Sequence, residues 1–118
     1  MNYPSYTQPD PFEATTCVVY AIELDKSVLQ DPKFKEKNPN YINGKTCVYI
    51  GMTSLDVGER YTQHLSGINS SRIAKHWGRG IISDLVTPRK PTLRRWAIKQ
   101  ERSTARQLRA SGYGVWQA

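Results

Sequence analysis

Glu101 is the one acidic residue between positions 85 and 118, and it falls inside an apolar stripe. From Leu93 to Leu108 the chain reads as an amphipathic helix whose stripe is Leu93, Trp96, Ala97, Ala105 and Leu108. Glu101 stands four residues after Ala97 and four before Ala105, so a helix turns it inward with them. An ionised carboxylate taken out of water needs a cation or hydrogen-bond donors to offset its lost hydration. A divalent metal, which prefers oxygen ligands, is one such partner. A buried ion pair with Arg60 is the other, and the residues alone leave the two level.

Four further side chains have types suited to chemistry on a charged substrate: Tyr20, Tyr49, Arg60 and His64. Arg60 and His64 lie one helical turn apart. The planar guanidinium of Arg60 matches the oxygens of a phosphate and cannot act as a base. A phenol with an ordinary pKa of about 10 is a poor base at neutral pH, so Tyr20 or Tyr49 would need nearby positive charge to serve as one. His64 could orient water or touch phosphate. Glu59, beside Arg60, reads as a surface residue.

The net charge of +7 is unevenly placed. Residues 1–84 hold nine Lys/Arg against nine Asp/Glu, a net of zero; residues 85–118 hold eight Lys/Arg against Glu101 alone, a net of +7. Arg94, Arg95, Lys99, Arg102, Arg106 and Arg109 all belong to the last helix, and such a field suits a polyanion, most simply a phosphate backbone. Paired carboxylates, a Cys/His cluster and a glycine-rich phosphate loop are all missing, which argues against a structural zinc site or a nucleotide cradle. Cys17 and Cys47 read as reduced, partly buried thiols, and His76 as an exposed or packing residue. No apolar run is long enough for a membrane span and no leader pattern is evident, so a cytoplasmic location with no membrane partner is expected.

These side chains need elements to hold them. Residues 17–24 form a β-rich run with Val18, Tyr20, Ile22 and Leu24 on one face, and Thr46–Gly51 a second strand antiparallel to it, ending at Gly51. The polar stretch between them, Asp25–Lys45, carries Pro32, Pro39 and Asn43-Gly44 and leaves room for a short helix at Ser27–Gln30. A helix from about Asp56 to Leu65 turns Val57, Tyr61 and Leu65 to the core, with Ser54 or Asp56 as cap and Arg60 and His64 on an adjoining face. A short helix follows through Ile73, Ala74 and Trp77, started by Ser70 or Ser71 and ended by Gly78. Residues 79–91 read as a connector with a short apolar run at Ile81 and Ile82. Thr92–Ser111 is the main helix, Gly112 stops it, and Tyr113-Gly-Val-Trp-Gln adds a last strand. The expectation is one small α+β domain over 17–118, helices on a largely antiparallel sheet, preceded by a loose arm over 1–16.

Across residues 17–117 the chain resembles the GIY-YIG nuclease superfamily. The motifs are met as Val18-Val19-Tyr20 and Tyr49-Ile50-Gly51, continuing through Met52 and Thr53 to Arg60, His64 and the helix glutamate Glu101. Small stand-alone members with a long insert between the motif strands and a Gly-Tyr-Gly-Val-Trp ending are the nearest in pattern. Val18 and Val19 replace the Gly and Ile of the first motif. The asparagine that often follows the glutamate near the domain end has no counterpart, and Gly114 and Gln117 lie in that region.

The resemblance implies a GIY-YIG-type domain acting as a metal-dependent endonuclease. Glu101 would hold one Mg²⁺ or Mn²⁺ through a carboxylate oxygen, Arg60 would stabilise charge on the phosphate, and Tyr20, Tyr49 and His64 would share the handling of the attacking water. Arg94, Arg95, Lys99, Arg102, Arg106 and Arg109 would bind the nucleic acid, DNA ahead of RNA, with a separate protein partner available for targeting. The alternative is a non-catalytic nucleic-acid-binding module, or a degenerate nuclease domain, in a larger assembly.

Overall fold

A computed structural model of the chain describes residues 16–54, 57–66, 71–86 and 91–117. Strand β1 (Thr16–Leu24) lies at the centre, with β2 (Cys47–Thr53) on one side and β3 (Gly78–Ile82) on the other. Both neighbours run antiparallel to β1, as does the short β4 (Thr92–Leu93), which pairs with Thr16 and Cys17. Strand β5 (Gly114–Gln117) joins β2 in parallel, making the order β3-β1-β2-β5. The described residues therefore form a small mixed α+β domain with a partly antiparallel sheet packed against helices.

Because side chains alternate across a strand, β1 and β2 each feed two cores. Cys17, Val19 and Ala21 join Val48, Ile50 and Val115 beneath the long helix, which supplies Ala97 and Ala105. Tyr20, Ile22 and Leu24 join Tyr49 on the opposite face, with Val28, Phe34, Ile73 and Ala74. Burial on both faces explains why these two strands are almost continuously apolar. Cys17 and Cys47 are free, buried thiols, and they belong to different cores.

The helices are α1 (Pro32–Lys37), α2 (Val57–Ser66), α3 (Arg72–Trp77) and α4 (Arg94–Ala110). Ser71 caps α3 through the amide of Ala74, as its hydroxyl allows. Gly112 takes φ +93° just after α4, a left-handed turn in which a side chain would also strike Ile42.

Several elements differ from the sequence expectation. Strand β2 runs on through Thr53, because β1 pairs with it as far as Val18–Thr53. The connector after Trp77 contains β3, with Ile81 and Ile82 standing opposite Ile22 and Ala21 in the antiparallel ladder. The long helix starts at Arg94: Thr92 and Leu93 are drawn into pairing with β1, and Leu93 and Trp96 are exposed outside the stripe. The insert holds a 3₁₀ turn (Lys26–Gln30) followed by α1, which the sequence reading leaves out. Thr16 belongs to β1, whereas residues 1–15, Asp56 and the side chain of Leu65 lie outside the described residues.

The insert ends on a buried amide. Asn38 accepts from the Val115 amide (2.8 Å) and donates to the Val115 carbonyl (3.0 Å) and the Phe34 carbonyl (2.8 Å). Arg109 Nε donates to the same Asn38 oxygen (3.3 Å), and its Nη2 to the Val115 carbonyl (3.0 Å). Removing the amide takes the partner from the buried Val115 N–H and from the Phe34 carbonyl, while the Val115 carbonyl keeps its bond from Arg109. Asn38→Ala is therefore expected to lower stability by about 3 kcal/mol, the cost of stranding two or so buried polar groups. Urea unfolding checks this, and a loss below about 1 kcal/mol would mean that the clamp contributes little.

Candidate active site

Tyr20 and Tyr49 reach the same face of the sheet from neighbouring strands, as their parity predicts. The register sets Tyr20 opposite Gly51 and Ile22 opposite Tyr49, so the two rings meet diagonally with centroids 6.3 Å apart. Gly51 makes room for them: a Cβ there would sit 2.8 Å from the Tyr20 hydroxyl and 2.9 Å from the Tyr49 ring. The motif glycine is thus required by a close approach rather than by its backbone angles.

Helix α2 lays His64 against this pair. The Tyr20 hydroxyl and His64 Nε2 share a hydrogen bond of 2.8 Å, and the imidazole meets the Tyr49 ring edge-on at 5.1 Å. His64 is completely buried, so it belongs to the core face of α2 rather than to the adjoining face expected from the sequence. Its Nδ1 has no hydrogen-bond partner among the described residues. Arg60, one turn earlier, is half-buried and donates through Nη1 to Gln63 (2.9 Å). Its guanidinium also bears on the Tyr20 hydroxyl by charge and hydrogen bonding. Glu59 is exposed, and His76 is exposed against Trp77.

Burial dominates the acid–base properties of this group. It raises Tyr20, against the opposing charge and hydrogen bond of Arg60. It raises Tyr49 well above the ordinary phenol range, helped by the neighbouring Tyr20 and partly offset by Arg60. It pushes His64 down to about 4, with the Arg60 charge acting in the same direction. At neutral pH the site therefore presents a neutral imidazole, two protonated phenols and one fixed cation.

Glu101 comes from the other side of the sheet. It is buried on α4 between Ala97 and Ala105, where the stripe places it, at 5% exposure. One oxygen accepts from Gln117 Nε2 at 3.1 Å, so Gln117 occupies the role of a neutral amide partner at the end of β5. The other oxygen has no hydrogen bond to a described residue. Burial raises the carboxyl pKa, opposed first by the Gln117 hydrogen bond and then by the charges of Arg102 and Arg94. The negative charge of Glu101 in turn adds to the raised pKa of both tyrosines, which ties it electrostatically to the Tyr–His group. A cavity of about 380 Å³ opens beside it, lined by Met52, Arg94, Ile98, Glu101, Arg102 and Gln117.

A hard divalent cation at Glu101 would have one carboxylate oxygen as its protein ligand, in a cavity that Arg94 and Arg102 also line. No group of three or more His, Cys, Asp or Glu side chains gathers among the described residues, so water or substrate oxygens would have to complete the shell. The donor set is hard and oxygen-based, and a cation would offset the cost of keeping Glu101 ionised in a buried position.

The six basic residues of α4 share one flank. At 3.6 residues per turn, Arg94, Arg109, Arg102, Arg95, Arg106 and Lys99 fall in that order across an arc of about 140°, beginning at the Glu101 edge. Gln100, Ser103 and Gln107 take the opposite flank. Lys99 and Arg95 lie 4.7 and 5.4 Å from the half-exposed Trp96 ring, while Arg109 is tied into the Asn38 clamp. No described helix is long and apolar enough to cross a membrane. Compared with known proteins, the chain matches no family model, no curated protein and no solved structure.

Proposed function

We propose that this chain is a divalent-cation-dependent nuclease of GIY-YIG type that hydrolyses phosphodiester bonds in nucleic acid, DNA ahead of RNA. The observation that carries the reading is the Tyr20–Tyr49–His64–Arg60 group on one side of the sheet, with the buried Glu101 and its uncommitted oxygen on the other. In this reading the scissile phosphate would meet the fork of Arg60 on its non-bridging oxygens, where charge builds as water attacks and the P–O bond breaks. Tyr49 and Tyr20 line the position of the attacking water, and the Tyr20–His64 hydrogen bond holds the first phenol in place. The proton released by that water would pass to the neutral imidazole of His64, because both phenols are already protonated at neutral pH, and the leaving oxygen would take a proton from solvent. Glu101, oriented by Gln117, would hold Mg²⁺ or Mn²⁺, which when bound supplies polarisation of the phosphoryl oxygens and of water.

The test is cleavage of single-stranded, duplex and branched DNA and RNA in Mg²⁺ or Mn²⁺ and again in EDTA. Product that appears with at least one substrate, and only with the divalent cation, is the expected result. Binding without cleavage of any of them would leave the non-catalytic nucleic-acid-binding module as the better reading.

A further inference from the structure

A second cavity, about 340 Å³, lies where α4 meets the edge of β5 and is lined by Arg102, Arg106, Arg109 and Gln117. Two of its four walls, Arg102 and Gln117, also line the cavity at Glu101, so the two hollows adjoin. Three guanidinium side chains thus face one concavity that contains no carboxylate. Arg102 and Arg106 are exposed and make no hydrogen bond or salt bridge with any described residue. Arg109 differs from them. Its Nε and Nη2 are pinned by Asn38 and the Val115 carbonyl, which leaves Nη1 without a partner among the described residues. A pinned guanidinium offers its remaining donors at little further cost in side-chain entropy, and its fork matches two oxygens of a phosphate.

We infer that this groove seats a backbone phosphate of the same strand, adjacent to the phosphate that reacts beside Glu101. The proposal rests on the nuclease reading for the identity of the neighbouring hollow, though the seat itself needs only a phosphodiester chain. A nucleic-acid backbone is favoured over an acidic peptide because Arg95 and Lys99 extend the same flank of α4 beyond the groove, giving a linear row of cations for a linear row of charges. Gln117 then has two duties: its amide orients Glu101 while its side chain forms the wall between adjoining phosphates.

Binding to a short labelled DNA, single-stranded and duplex, is measured against salt in EDTA, so that no cleavage intervenes. Arg106→Gln is compared with Lys75→Gln, which removes the same charge from an exposed position on α3. Arg106→Gln is expected to weaken binding about tenfold and to reduce the log–log salt slope by about 0.9 on the duplex and about 0.7 on the single strand, with Lys75→Gln staying within about twofold of the parent. Unchanged thermal unfolding of both variants keeps the comparison free of folding effects. Equal losses from the two variants overturn the seat, as does the absence of DNA binding at low salt, or Arg106-dependent capture of a poly-glutamate peptide or of inorganic phosphate as tight as that of DNA. Cleavage in Mg²⁺ is scored separately: intact cleavage with equal losses removes the seat alone, while unequal losses without cleavage retain the seat and remove the nuclease reading.

Discussion

Glu101→Gln is expected to abolish cleavage while leaving nucleic-acid affinity nearly intact. The substitution keeps the volume and preserves an oxygen able to accept from Gln117, so the end of β5 keeps its place. What it removes is the negative charge that would hold the cation. The same change has a signature in stability that needs no substrate. Because burial raises the carboxyl pKa, the folded chain binds that proton more tightly than the unfolded chain. The resulting stabilisation is present at acid pH, below the unfolded value, and is lost as pH rises through the folded value. In EDTA the parent should therefore lose stability relative to Glu101→Gln as pH is raised across the upper carboxylate range toward neutrality. Adding Mg²⁺ or Mn²⁺ at neutral pH should raise the melting temperature of the parent and not of the variant. Cleavage by the variant within about tenfold of the parent's rate, roughly 1.4 kcal/mol of barrier, would remove Glu101 from the mechanism. An equal metal shift in both proteins would place the cation elsewhere.

Arg60→Ala is expected to slow cleavage by about 10²–10³-fold, the range typical of losing one donor to transition-state charge. Substrate affinity should fall much less, because the α4 flank supplies the larger share of positive charge. Arg60→Lys should not restore the rate, since an ammonium keeps the charge without the planar fork. An independent readout is the His64 titration followed by NMR. With Arg60 gone, one of the two causes that depress His64 to about 4 disappears, and its pKa should rise, though burial still holds it below the ordinary value. A His64 pKa unmoved by the substitution, with a rate loss below about tenfold, would show that Arg60 does not act in this cluster.

Parts of the site were legible in the chain itself because they depend on local periodicity. Tyr20 and Tyr49 share a face because strand parity and an antiparallel register put them there, and Glu101 is buried because 3.6-residue spacing ranks it with Ala97 and Ala105. The full burial of His64 depends on how α2 docks against the sheet, which spacing from Arg60 does not reveal. Strand β3 escapes notice because Arg79 and Gly80 break the apolar alternation, and its strand character comes from pairing with β1. Leu93 and Trp96 mislead in the opposite sense: both continue a helical stripe in sequence, yet Leu93 is diverted into a strand and Trp96 turns outward beside Lys99. Helix α1 did carry a signal, Asp31 followed by Pro32, an N-cap with proline in the first turn. Asn38 carried none. An asparagine in a polar connection looks like turn chemistry, and only tertiary contact turns it toward Val115.

That amide has one more consequence. By taking both the N–H and the C=O of Val115, Asn38 does for β5 what another strand would do, and it presents nothing further to extend the ladder. A parallel strand at the margin of a sheet is otherwise a template on which a second chain can add. Asn38→Ala would free the N–H of that template, its carbonyl still held by Arg109, while loosening the chain around it. Its failure should then be self-association that grows with protein concentration, alongside simple unfolding. The insert that separates the two tyrosine strands would thereby guard the edge of β5 against pairing with a second copy.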